Sequence, residues 1–295
     1  MWRRIARPAL AALAVALTFA SAAHARAPAP GFRVIYYNQG NGLRTEKTFG
    51  FRVLLLALRK SGASYELRPS PLGRTTEPRA IEAISAGDNM DLALLGTSAD
   101  ADAKLAAVRI PIDRGLLGYR ILLIDRARQP LFDDIRTRGD LTRISTLQGK
   151  GWPDVRVLRN AGVTVWTGDY ERLFPMIVAG RADAYPRGVL EAFGEREKWG
   201  GELPTLAVEK GVALHYRFTS FFYVAKTNTR LRDDLHRGLR RAFADGSYER
   251  LFNSDPTIRQ ALAKADLRNR RIIEMDNPYL SPETRAIPDH YWWRP

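Results

Sequence analysis

Val163–Glu191 reads VTVWTGDYERLFPMIVAGRADAYPRGVLE. The β-branched run Val163, Thr164, Val165 ends at Thr167-Gly168-Asp169, a strand followed by turn residues. Tyr170, Leu173, Phe174, Ile177 and Val178 then recur at the spacing of one buried helical face. Gly180 stops that helix, and interior Pro175 predicts a kink. Ala182 to Tyr185 predicts a second short strand, after which Pro186-Arg187-Gly188 opens a helix reaching Glu195. Strand, helix, strand, helix in one short stretch implies an α/β protein with a parallel sheet. The loops after its strands share one side, where such proteins hold ligands.

The whole chain of 295 residues can fold as one large or two medium domains. It has no cysteine, which excludes disulfides, thiolate metal sites and a cysteine nucleophile. Residues 1–25 read as a secretory signal: Arg3, Arg4 and Arg7 are its basic start, Ala9 to Ala20 its apolar run, and Ala23-His24-Ala25 its cleavage site. The mature protein is therefore expected to be soluble and exported. The formal charge is +14, and removing the three signal arginines leaves +11. The densest basic cluster, Arg230, Arg232, Arg237, Arg240 and Arg241, shares an amphipathic pattern with Leu231, Leu235, Leu239 and Phe243. It reads as the wet face of a helix, and no nucleic-acid partner is expected.

Taken in order, Phe32 to Tyr37 predicts the first strand, Phe49 to Lys60 a helix stopped by Gly62, and Tyr65 to Arg68 a second strand. Pro78 begins a helix ended by Gly87, and Asp91 to Leu95 predicts a third strand. Leu116 to Asp125 and Tyr216 to Lys226 read as two long strands, with a helix over Asp154 to Asn160 and another from Thr229 to Ala244. Ile272-Ile273 predicts a last short strand, and residues 277–295, with the large aromatics Tyr279, Tyr291, Trp292 and Trp293, a surface wrap without regular structure.

The helix ending Gly180-Arg181-Ala182-Asp183-Ala184 before a strand resembles the second lobe of family 3 periplasmic solute-binding proteins, as a divergent branch. The resemblance extends from about Phe32 to Phe252 and implies a two-lobed type 2 periplasmic-binding-protein fold. It implies lobe 1 over residues 31–121 and 221–268, lobe 2 over 122–220, and an aromatic tail over 269–295. Two hinge crossovers would lie near Gly118-Arg120 and Phe218-Ser220.

Such a cleft binds solutes through loop amides, helix N-termini and a few side chains placed just after strands. The ligand-binding candidates are Tyr37 and Asn38; Gly96, Thr97 and Ser98; Arg120; Lys150 and Trp152; Thr167, Gly168 and Asp169; and Tyr185 and Arg187. The resembled amino-acid receptors place an arginine after the third strand and an acid after the last lobe 2 strand. Here those places read Gly96 to Lys104 without arginine, and Tyr185-Pro186-Arg187-Gly188. An anionic or aromatic solute is expected instead, with Arg187 either its anion clamp or the partner of Asp183 or Asp169. Gly149-x-Gly151 lacks the third glycine of a dinucleotide fingerprint, and the histidines lack ligand spacing, so no cofactor, metal or catalytic residue is expected.

The resemblance implies a monomeric, exported solute-binding protein serving an ABC-type membrane transporter, and no enzyme. Two alternatives stand beside it: a periplasmic enzyme on the same fold, similar to cyclohexadienyl dehydratases, and a sensory or accessory module docking through its aromatic tail.

Overall fold

A computed structural model describes residues 32–36, 47–73 and 75–295. The expected signal segment and the candidates Tyr37 and Asn38 lie outside the described residues. Lobe 1 is a five-stranded sheet of β1 (Phe32–Tyr36), β2 (Tyr65–Pro69), β3 (Leu92–Gly96), β4 (Leu105–Val108) and β10 (Ser220–Ala225). Its order is β2-β1-β3-β10-β4. The first three strands are mutually parallel, and β10 returns antiparallel between β3 and β4.

Lobe 2 holds β5 (Tyr119–Asp125), β8 (Tyr185–Gly188), β9 (Leu206–His215) and β11 (Arg271–Glu274) in the order β11-β9-β5-β8. Beside them β6 (Ser145–Gly149) and β7 (Thr164–Gly168) form a parallel pair. The sheet predicted as parallel for Val163–Glu191 is thus mixed. β7 pairs with β6, whereas β8 pairs antiparallel with β5 and is joined to the parallel pair by the Thr146–Ala184 bridge just before it and by the Gln148 amide, which donates to the Pro186 carbonyl at 3.1 Å.

The helices obey their local signals. In α1 (Phe49–Ser61) the Thr48 hydroxyl accepts from the Phe51 N–H, and Gly62 closes the end at φ 80°. Its buried face meets α8 (Thr229–Ala244), where a side chain on Gly238 would approach the Ala57 carbonyl oxygen to 1.9 Å. α2 (Glu77–Ala86) carries Pro78 in its first turn. Short α3 (Ala99–Lys104) and α4 (Gln129–Asp133) lead to α5 (Asp154–Asn160) and α6 (Tyr170–Val178), which continues through Pro175. α7 (Ala192–Trp199) starts later than predicted. Residues 185–188 are held in β8, and the Glu191 N–H donates to the Gly188 carbonyl, so a turn precedes the helix. α9 (Ser247–Ser254) and α10 (Pro256–Ala265) complete lobe 1.

Residues 109–118 and 216–219 cross between the lobes, as the sequence predicts, and residues 266–270 cross a third time, from α10 of lobe 1 to β11 of lobe 2. The long strand predicted at Leu116 begins as a 3-10 turn, Leu116–Gly118, and the one predicted at Tyr216 begins at Ser220. Both differences have one cause, because the chain must bend where it passes between sheets. Buried Asp113 ties the crossovers together, accepting from the Thr219 hydroxyl (2.6 Å), the Gly115 N–H (2.8 Å) and the Ser220 N–H (3.2 Å). A side chain on Gly118 would lie 2.2 Å from the Tyr216 carbonyl oxygen. The tail has a short α11 (Pro282–Arg285), and its indoles pack on this hinge. Trp292 covers Gly115 and stacks on Arg217 (4.3 Å), while Trp293 meets Tyr119 edge-on at 5.5 Å.

Candidate functional site

The strand ends and helix starts of both lobes converge on a cleft of about 650 Å³. Lobe 1 contributes Thr75, Thr76, Glu77 and Pro78, at the start of α2, and Gly96 at the end of β3. Lobe 2 contributes Arg120, Lys150, Trp152, Asp154, Gly168, Asp169, Tyr170, Arg187 and Glu191, and Phe218 lines it from the crossover.

Of the described candidates, Gly96, Arg120, Lys150, Trp152, Gly168, Asp169 and Arg187 line the cleft. Thr97, Ser98, Thr167 and Tyr185 do not line it. Thr97 is buried, its N–H donating to the Thr219 carbonyl, and Ser98 caps α3 through the Ala101 N–H. Thr167 sits exposed in β7, and Tyr185 lies fully buried behind Arg187, its ring 5.1 Å from the guanidinium.

Arg187 is 4% exposed. Its Nε and Nη2 each donate to Glu195 at 2.7 Å, and Nη2 lies 3.2 Å from Glu191. Neither Asp183 nor Asp169, the internal partners considered from sequence, is involved: Asp183 accepts from Ser145 and Asp169 pairs with Lys150. The reason is the position of Arg187 in β8, from which its side chain reaches the start of α7. Trp152 and Tyr170 flank the guanidinium at 4.8 and 5.7 Å, and the Tyr170 hydroxyl donates to Glu195 at 2.8 Å. Gly149 makes room for this, since a side chain there would strike the Trp152 indole at 2.3 Å. Burial pushes Glu191 up from its ordinary range, against the pull of Arg187.

Arg120 is 2% exposed. Its Nε donates to the Tyr216 hydroxyl at 2.9 Å, and that hydroxyl donates to Asp154. Its Nη2 lies 2.5 Å from Asp154 yet makes no aligned hydrogen bond, so the contact is an ion pair by distance and leaves donor capacity unused.

Glu77 is the residue that the sequence reading passed over. It is half-buried at the first turn of α2, and its carboxyl has no hydrogen-bond or ion-pair partner among the described residues. Burial, with Asp154 and Glu191 facing it, pushes it up to about 7. Thr76-Glu77-Pro78 follows a predicted strand and opens a predicted helix, so the rule that selected the other candidates also reaches it.

The chain resembles solved structures over about three quarters of its length. An ancestral arginine-binding protein bound to arginine is 15% identical, with a TM-score of 0.54, over 78% of this chain and 99% of that one. The VFT2 domain of Bordetella pertussis BvgS is 17% identical, with a TM-score of 0.57, over 75% and 91%. The fold is that of the two-lobed type 2 periplasmic binding proteins. A third protein with this fold, the ancestral amino-acid-binding protein AncCDT-1, a precursor of cyclohexadienyl dehydratase, is 16% identical, with a TM-score of 0.53, over 76% and 94%. No family model matches the chain, and no curated protein matches its sequence. In the binding-protein fold of this chain, residues from both lobes and one crossover wall the cleft. Among the described residues no helix is long and apolar enough to cross a membrane, and no acidic or histidine cluster could hold a metal ion.

Proposed function

We propose that the chain is an exported solute-binding protein whose lobes close on a small molecule and present it to an ABC-type membrane transporter. One observation carries the reading: a cleft of about 650 Å³ walled by both lobes beside the crossovers that join them. That volume falls in the range of small-molecule pockets. Closure about the crossovers would complete contacts that neither lobe makes alone. The signal-like segment at residues 1–25 supports export to the periplasm. The protein would act as a monomer without catalysis or cofactor.

Arg187 does not support an anion clamp in this arrangement, because Glu195 and Glu191 already satisfy it. A thermal-shift screen over amino acids, amines, organic acids and aromatic acids tests the proposal, since a ligand specific for the folded state raises its apparent stability. A hit should reduce the radius of gyration in small-angle scattering. A folded protein that no solute stabilises or compacts would remove the reading.

A second reading, an enzyme on this fold, draws on Glu77, a cleft carboxyl held near neutrality and so suited to general acid work. Turnover of a cyclohexadienyl acid by the wild type, abolished in Glu77→Gln, would favour it over binding alone.

A further inference from the structure

Beyond β11 the chain runs from lobe 2 back to lobe 1, over the crossovers at 109–118 and 216–219. Met275 lies in the lobe 2 core, its N–H donating to the His215 carbonyl at 2.8 Å. Ile287, 6% exposed, lies in the lobe 1 core with Ile84 and Phe221. Between these anchors the Asn277 amide donates to the Arg217 carbonyl at 3.1 Å, and the Thr284 hydroxyl accepts from Arg109 at 2.7 Å. Arg217 in turn donates to the Ile287 carbonyl at 2.6 Å. The tail is therefore a strap anchored in both cores, with a hydrogen bond to each of these two crossovers. It does not line the cleft. Phe218 faces the cleft, whereas its neighbour Arg217 faces the tail.

A second, independent feature lies where the strap ends. Arg114 in the first crossover has φ 54°, and Gly115 follows at φ 81°. Glycine adopts that region freely. A residue with a Cβ seldom does, and stays there only where its surroundings hold it. The peptide joining Arg114 to Gly115 is held at both ends. Its N–H donates to Asp113 at 2.8 Å, and its carbonyl accepts from the Trp293 N–H at 2.7 Å. The Arg114 guanidinium donates to Glu249 of α9 at 2.6 Å and to the His290 carbonyl at 3.2 Å. Trp292 covers Gly115, where an added Cβ would meet the indole at 2.5 Å, and stacks on Arg217 at 4.3 Å. One indole thus touches both crossovers. Hinge rotation is absorbed by φ and ψ changes at a few residues of this kind. Arg114 and Gly115 cannot turn while Trp293 holds the carbonyl between them and Trp292 covers Gly115.

We propose that residues 277–293 are a clasp on the hinge. The clasp keeps Arg114 in the left-handed region, fixes the angle between the lobes, and must lift its Trp292–Trp293 end before they rotate. With that end lifted, the Arg114 carbonyl loses its donor and the residue is free to leave its strained conformation. The hinge then has two states that differ by a discrete set of contacts. The clasp acts whatever solute the cleft takes. A solute that binds only the rotated form has its apparent affinity reduced by the fraction of molecules already unclasped.

The test is double electron–electron resonance on the full chain, with spin labels at Arg79→Cys in α2 and Arg172→Cys in α6, exposed positions on opposite lobes. The chain has no cysteine of its own, so the labels are unique. The otherwise unaltered chain should give one narrow distance. Removing residues 292–295 should broaden the distribution about twofold or more, or add a second distance, with no solute present. Trp293→Pro is the milder variant. It removes the donor to Arg114, and the extended backbone of Trp292 (φ −100°, ψ 133°) suits a residue before proline. It should broaden the distances likewise, and circular dichroism checks that each variant folds. A folded variant whose distribution overlies that of the labelled parent would overturn the clasp. So would a parent that is itself broad. Neither result bears on the solute-binding reading, because no solute is used.

Discussion

Arg187→Ala should destabilise the fold even though Arg187 lines the cleft. The substitution removes two charge-assisted bonds of 2.7 Å to Glu195 and the 3.2 Å ion pair to Glu191. Removing one partner of a buried pair costs about 3–5 kcal/mol, because the other charge stays buried and unpaired. Here the two carboxylates differ. The Glu195 side chain is 11% exposed and bears most of the penalty, whereas that of Glu191 is 33% exposed and recovers much of its hydration. The lower end, about 3 kcal/mol at pH 8, is therefore expected, a large fraction of the usual 5–15 kcal/mol of a domain. The orphaned carboxylates would bind protons more tightly folded than unfolded. The penalty is then full above their raised folded pKa and shrinks as pH falls toward the ordinary range of about 4.3. Urea unfolding at pH 8, 7 and 5, extrapolated to water, reads both effects. The double variant Arg187→Met, Glu195→Gln should regain half or more of the loss. A single variant within about 1 kcal/mol of wild type at pH 8 would refute the pairing as a structural keystone. So would a loss that does not change with pH.

Three further outcomes follow from named contacts. Glu77 is held near 7 in the folded chain against an ordinary 4.5, so folding loses stability as pH rises between those values. The shift corresponds to about 3 kcal/mol at most and, for a half-buried group, to about 1–2 kcal/mol. Glu77→Gln should be the more stable protein at pH 8 by that amount and converge with wild type near pH 4.5, as read by thermal unfolding across pH. Asp113→Ala strips the acceptor from the Thr219 hydroxyl and the Gly115 and Ser220 N–H groups and should cost roughly 2–4 kcal/mol. Faster hydrogen exchange at the crossovers should accompany it, and unchanged protection there would argue against Asp113 as the tie. Trp292→Ala uncovers Gly115 and Arg217 and should cost about 2–3 kcal/mol, less than a fully buried indole. Denaturant titration checks this, and an unaffected midpoint would return the tail to a docking role.

Local signals in the sequence determined α1, α2, α5, α6 and α8 and several strand ends. Thr48 and Gly62 bound α1, Pro78 and Gly87 mark α2, and the apolar spacing of Leu173, Phe174 and Ile177 fixes the buried face of α6. Gly180-Arg181-Ala182-Asp183-Ala184 carried the resemblance that led to the two-lobed fold. The strands β4 and β9 escaped. β9 alternates poorly, with Glu209 fully buried and Lys210 and Gly211 exposed, and its pairing with β5 and β11 is a long-range choice. The direction of β8 was equally hidden: its neighbour β5 precedes it by sixty residues and more, and only assembly of the sheet decides which edge takes a short strand containing proline. The cleft shows the same division. The rule that ligands gather after strands picked out Gly96, Lys150, Trp152, Gly168, Asp169 and Arg187. It could not tell an available cation from an occupied one. Glu195 reaches Arg187 from the next helix, whereas Glu77 meets Asp154 and Glu191 across the gap between lobes. Charge pairing depends on distances of a few ångströms between residues remote in the chain, and tertiary structure alone sets those distances.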